Sequence, residues 1–152
     1  MDLRRVSFAV LPVAGAAALG GLGSRDAPRT YANLHKPRWA PPASAFGPVW
    51  TALYASVAVV GWRAWTASPN ARRLHLGQLA LNAAWPCVFF GVRKKRAALV
   101  VIAALDATVA AEVAVLGRDD RSAAVLLAPY LAWCGFATAL NAAVSEPPDG
   151  RP

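Results

Sequence analysis

Apolar residues fall in five long runs, about 6–23, 46–65, 74–92, 97–116 and 122–144, separated by short polar or basic breaks. A helix that spans a bilayer needs roughly 20 mostly apolar residues. Each run is long enough, and none alternates apolar and polar residues as a membrane barrel strand does. The pattern therefore predicts an all-α membrane protein, a bundle of five transmembrane helices. The breaks at 93–96 and 117–121 are so short that the third, fourth and fifth helices must be antiparallel neighbours. The first run follows Arg4 and Arg5 and ends in small residues near Gly20 to Ser24, so a cleavable signal peptide is its rival reading. Small residues four apart, Ala16 with Gly20 and Ala17 with Gly21, suit close helix packing in lipid.

Composition points the same way. The 152 residues are 57% hydrophobic and 16% charged, against about 45–50% and about 25% in a soluble domain. A chain this short has too little interior to hide that apolar fraction from water. The excess fits a lipid bilayer as partner, in one membrane domain covering 1–152. The two cysteines, Cys87 and Cys134, lie within apolar runs, which excludes a disulfide scaffold or a four-cysteine zinc site.

The formal net charge of +8 does not lead to nucleic acid. The basic residues gather as Arg4-Arg5, Arg72-Arg73 and Arg93-Lys94-Lys95-Arg96 between apolar runs, the spacing of membrane-surface loops. With five spans the termini lie on opposite sides. The C-terminal side then carries 9 basic residues against 7, including the dense block at 93–96. That places the C-terminus in the cytoplasm, with a bacterial inner membrane as the expected location.

The longest link, Arg25 to Ala45, is expected to be a proline-rich loop, stiffened by Pro28, Pro37, Pro41 and Pro42. It also carries Tyr31, His35 and Trp39. Links of this length are often lids or binding loops. Two readings fit: the cover of a pocket, or a surface segment whose Trp39 sits among headgroups.

Six tryptophans are many for this length. Trp62 and Trp65, at the end of the second run, suit an interfacial belt. The others fall on shared faces at helical spacing: Trp50 with Tyr54; Asn82, Trp85 and Phe89; Tyr130, Trp133, Ala137 and Asn141. Amides are costly in hydrocarbon, so Asn82 and Asn141 should face the bundle interior. By helix direction, Trp50, Tyr54, Trp85, Phe89 and Asn141 all lie in the half beneath the long link. A mostly apolar pocket for a flat hydrophobic ligand fits these positions. So does a solid aromatic core with two interhelical amide bonds, which spacing alone favours. Pro86 and Pro129 should kink their helices.

Asp106 lies near the middle of the fourth run, and Glu112 lies at a depth shared with Arg63 and His75. Intramembrane acids suggest a proton or ion path, a counter-ion, or a hydrogen-bonded structural role. Neither His35 nor His75 belongs to a haem-ligating pattern, so no metal site is expected. No nucleophile–base–acid set and no phosphate loop is visible, which leaves no hydrolase or kinase reading.

The run Asn33-Leu34-His35-Lys36-Pro37-Arg38-Trp39-Ala40-Pro41-Pro42 resembles the first loop of the TspO/MBR family, the bacterial tryptophan-rich sensory proteins and the mitochondrial translocator protein. Phe46-Gly47-Pro48-Val49-Trp50-Thr51-Ala52-Leu53-Tyr54 is similar to its second-helix signature. Gln78, Leu81-Asn82, Trp85-Pro86 and Phe89-Phe90-Gly91 resemble the third, and Pro129-Tyr130, Trp133 and Leu140-Asn141 the fifth. The resemblance implies five helices around a pocket that takes porphyrin or haem-related tetrapyrroles, sterol-like or benzodiazepine-type ligands, in a protein that commonly forms homodimers. It implies that Trp39, Trp50, Tyr54, Asn82, Trp85, Pro86, Phe89, Trp133 and Asn141 bind ligand, which reverses the preference for a solid core. The implied function is a tetrapyrrole-binding sensor or regulator that needs no cofactor. Light- and oxygen-dependent porphyrin breakdown, with Trp39 and Trp133 as catalytic residues, and transport of tetrapyrroles or lipophilic molecules are the alternatives. Sterol-binding relatives carry a basic residue close after a tyrosine at the end of the last helix. Here no Lys or Arg follows Tyr130 before Arg151, which puts sterol recognition in doubt.

Overall fold

The computed structural model describes residues 2–145. Among them the elements are helical: α1 (Leu3–Gly23), α2 (Ala27–Asn33), a 3₁₀ turn (Ala43–Ala45), α3 (Phe46–Ala67), α4 (Pro69–Pro86), a π turn (Cys87–Gly91), α5 (Lys95–Asp119) and α6 (Arg121–Ala143). The five apolar runs map onto α1, α3, α4 with its π turn, α5 and α6. Four of these, α1, α3 with its leading turn, α5 and α6, are long and apolar enough to cross a membrane. The fifth, α4, does not meet that measure. Its first ten residues include Asn70, Arg72, Arg73, His75 and Gln78, two of which are buried in the bundle.

Helix boundaries follow local chemistry. Asp2 caps α1 by accepting from the Arg4 N–H at 3.0 Å. Ser68 alone separates α3 from α4; its side chain accepts from the Ala71 N–H, and Pro69 takes the first helical position. Asp120 alone separates α5 from α6 and accepts from the Ala123 N–H at 3.1 Å. Pro12, Pro86 and Pro129 all stay inside their helices. Membrane helices tolerate such prolines where neighbours or local adjustments re-satisfy the backbone. After Pro86 the adjustment is visible: the next five residues widen into π geometry, and the Val92 N–H donates to Cys87 O at 2.9 Å. Arg93 then takes a left-handed conformation (φ 56°), which turns the chain into α5.

Packing closes a ring in which α1 lies on α3 and α4, α4 on α5, α5 on α6, and α6 on α3. Gly23 permits the closest approach: a Cβ there would lie 2.8 Å from the Cys87 backbone nitrogen. The small residues at the end of α1 thus bring it against the π turn.

The link between α1 and α3 is not a plain loop. Pro28 sits in the first turn of the seven-residue helix α2, and Lys36 folds back to donate to the carbonyls of Tyr31, Ala32 and Leu34. His35 and Ser145 exchange backbone hydrogen bonds of 2.9 and 3.1 Å, which fastens the link to the end of α6. The Tyr31 phenol donates to Pro41 O at 2.8 Å, and burial pushes that phenol above its usual pKa.

Candidate ligand-binding site

The link roofs a cavity of about 410 Å³ inside one end of the ring. Its size lies in the usual range for small-molecule sites. Trp50 and Tyr54 from α3, Asn82, Trp85 and Pro86 from α4, Phe89 from the π turn, and Trp133 and Asn141 from α6 all line it. Eight of the nine residues singled out in the sequence therefore meet in one chamber. Trp39 is not among the lining residues; it is 51% exposed and meets Phe136 edge-on, with ring centroids 5.7 Å apart.

The rings form two walls. On one side Trp133 lies 5.9 Å from Phe46 and 6.5 Å from Trp50, both edge-on, and Trp50 lies 5.3 Å from Tyr54. On the other, Trp85 stacks on Phe89 at 5.3 Å, and Phe89 meets Phe90 edge-on at 4.8 Å. Offset and edge-on pairs are the arrangements that ring quadrupoles favour. Both sets of rings line the same cavity.

The amides are oriented by neighbours. Asn141 accepts from the Trp85 indole N–H at 3.0 Å, so one hydrogen bond fixes both an amide and a wall. Asn82 accepts from the Tyr54 hydroxyl at 2.8 Å and donates to Tyr130 Oη at 2.9 Å. Tyr130 in turn donates to Gln78 Oε1 at 3.0 Å. Both asparagines are buried, 3% and 2% exposed, as the cost of amides in hydrocarbon requires.

Several lining residues escaped the sequence reading. Gly20 and Gly21 of α1, Leu34 beside α2, and Phe46 and Phe90 also line the chamber, as does Tyr31, which the sequence marked only as part of a possible cover. The four-residue spacing of small residues in α1 was the only signal for the first pair. Tyr31 and Leu34 depend on a helix too short for periodicity to reveal.

The ionisable groups sort differently from the depth grouping suggested by sequence. Arg63 does not join His75 and Glu112. It makes a two-pronged ion pair with Asp120, both N–H···O distances 2.7 Å. The hydrogen bond from Arg63 holds the Asp120 carboxyl below the usual carboxylate range. His75 Nδ1 instead lies 2.8 Å from Glu112 Oε1, with both side chains 0% exposed. Asp106 accepts from the Thr138 hydroxyl of α6 at 2.6 Å and does not line the chamber.

Residues 8–146 match the TspO/MBR family. The chain belongs to that family. The TspO/MBR relatives include the human translocator protein, 40% identical over 120 residues (74% of this chain and 71% of the relative). The tryptophan-rich protein TspO of Archaeoglobus fulgidus is 34% identical over 149 residues, covering 95% and 97% of the two chains. The tryptophan-rich sensory protein of Cereibacter sphaeroides is 38% identical over 113 residues, covering 73% and 72%. The chain is accordingly an integral membrane protein of the TspO/translocator type.

Proposed function

We propose that this protein is a tetrapyrrole-binding sensor or regulator of the tryptophan-rich sensory type, with all five long helices crossing the bilayer. The observation that carries this reading is the chamber itself: two aromatic walls and two fixed amides around an apolar space of about 410 Å³. A flat macrocycle presents wide faces to the indoles of Trp50, Trp85 and Trp133 and to the Tyr54 and Phe89 rings. Asn82 and Asn141 set its orientation, Pro86 holds the chamber wall, and Trp39 closes the outer edge of the roof through Phe136 and Trp133. The polar donors are few, which suits porphyrin or haem as ligand and requires no cofactor. Two copies pair as a homodimer in a bacterial inner membrane, with the 93–96 basic block and the C-terminus in the cytoplasm.

The test is a titration of the purified protein with protoporphyrin, followed by quenching of tryptophan fluorescence. Saturable micromolar binding is expected, and Trp133→Ala should weaken it about tenfold, the loss of one ring-stacking contact of about 1.4 kcal/mol. Unchanged affinity in that variant removes Trp133 from the site. The continuous ring contacts from exposed Trp39 through Phe136 to Trp133 favour one second reading, light-driven porphyrin breakdown. Illuminating the same complex in air distinguishes it. A new product, absent with Trp39→Phe, makes the protein an enzyme; an unaltered porphyrin spectrum leaves a binder.

A further inference from the structure

The chamber does not use the most deeply buried ionisable pair among the described residues. His75 of α4 and Glu112 of α5 are both fully enclosed, and His75 Nδ1 lies 2.8 Å from Glu112 Oε1. Their other polar atoms, His75 Nε2 and Glu112 Oε2, find no partner among the described residues. The fit around the imidazole is close. A Cβ on Gly61 of α3 would lie 2.7 Å from His75 Nε2, so only glycine there leaves the ring its place. From α1 the neighbours are the Phe8 ring, 5.7 Å from the imidazole, and the backbone beside Ala9, which packs against the same Gly61.

Charge counting limits what this pair can hold. One proton must lie between Nδ1 and Oε1, since two bare lone pairs at 2.8 Å would repel. If that is the only proton, the pair carries one net negative charge inside the bundle, which is costly in hydrocarbon. A second proton on Nε2 makes the pair neutral, whether as imidazolium with carboxylate or as imidazole with carboxylic acid. Both neutral forms contain the same two protons, so the pair gains and loses the second as a unit. No other charge offsets its loss. Phe8 and Ala9 of α1 and Gly61 of α3 bring none, and α5 brings only Glu112. Of the arginines at this end, Arg5 engages Trp62 O and its ring, Arg63 engages Asp120, and Arg72 engages Trp65 O and its ring; Arg4, Arg73, Arg118 and Arg121 make no ion pair with Glu112.

The pair also adjoins the polar chain that reaches the chamber. Gln78 lies three residues beyond His75, on the same face of α4. From it the hydrogen bonds run through Tyr130 and Asn82 to Tyr54, whose ring lies 5.3 Å from Trp50. The other end of this chain is a buried donor, Gln78 Nε2, with no acceptor among the described residues. A negative charge appearing one helical turn away polarises the whole series.

We propose that His75 and Glu112 form a proton-binding site within the membrane-embedded core, and that its occupancy is transmitted along Gln78, Tyr130, Asn82 and Tyr54 to the aromatic chamber. Release converts the neutral pair and water into an anionic pair and a hydrated proton; no bond between heavy atoms changes. The site is independent of which ligand the chamber takes, so it stands or falls apart from the porphyrin reading.

The experiment uses the full chain in lipid nanodiscs, with ¹⁵N-histidine and ¹⁵N-tryptophan labels and no added ligand. The sequence has two histidines, so His35→Gln isolates His75. Nε2 should give a protonated-nitrogen signal that is lost as pH rises. The Trp50 indole N–H resonance, assigned with Trp50→Phe, should move with the same midpoint. Tyr130→Phe should keep the His75 step and abolish the Trp50 response, and Glu112→Gln should remove both. An Nε2 that stays unprotonated at every pH where the helices persist overturns the proton site. A Trp50 signal that stays fixed while His75 titrates overturns its link to the chamber. Both decisive readings are made without altering the pair, so they survive a Glu112→Gln variant that fails to fold.

Discussion

Tyr130 shows how a single residue can hold the interior together. Its hydroxyl accepts from Asn82 and donates to Gln78, so one oxygen bridges two buried amides. Tyr130→Phe leaves both amides short of a partner in a water-poor core, which costs about 1–3 kcal/mol. Tyr54→Phe removes one bond at the chamber edge and should cost less. Unfolding of both variants in mixed micelles measures the order; equal losses would mean that Tyr130 has no bridging role. The chamber's residues were legible in sequence where polarity and helical spacing coincide: an asparagine, tryptophan or tyrosine in an apolar run has few places to point except inward. Glycines carry no such mark, so Gly20 and Gly21 became lining residues only once α1 was placed. Arg63 was legible as an intramembrane charge, but not its partner, because Asp120 lies 57 residues along the chain.

At the level of elements, one-residue junctions and glycine contacts set the ring. Gly23→Ala drives a methyl group into the Cys87 backbone and should destabilise the protein by about 1–3 kcal/mol, as overpacking does. Gly15→Ala meets nothing within 4 Å, so helix propensity should leave stability equal or higher. Thermal unfolding of the two variants tests the contrast. Asp120 joins three helices, capping α6, following α5 and pairing with Arg63 of α3. Its carboxyl is held below its unfolded value. Its contribution is therefore complete above pH about 4, the ordinary carboxylate value, and fades as pH falls through the lower folded value. The melting midpoint of the wild type should drop across that acid window, and Asp120→Asn should flatten the drop. The long apolar runs predicted the large helices because length and hydropathy suffice for them. Helix α2 has seven residues and lies in a proline-rich link, where neither signal applies.

Across the whole molecule the two ends of the bundle differ. One end holds the roofed chamber; the other holds arginines stacked on Trp62 and Trp65 and the Arg63–Asp120 pair. The orientation proposed from the basic residues would put the chamber end at the cytoplasm. In a background with Cys87 and Cys134 replaced by alanine, Ser122→Cys should then react with a membrane-impermeant maleimide on intact cells. Lys94→Cys should react only after the membrane is opened. The reverse pattern would invert the protein, and labelling of both without opening would mean that the two sites share a side. α4 is where hydropathy reads poorly, since His75, Gln78 and Asn82 are buried in the bundle and lower its apolar score as much as exposed Asn70 and Arg73 do. Helix burial, which composition does not encode, separates the two cases.

The paired backbone hydrogen bonds between His35 and Ser145 also have a practical consequence. Val144 lines the cavity and Ser145 is fastened to its roof, so the described chain leaves α6 beside the vestibule, whereas Leu3 lies at the far pole. Purification handles therefore belong on the amino-terminal side if titrations are to sample an unobstructed mouth.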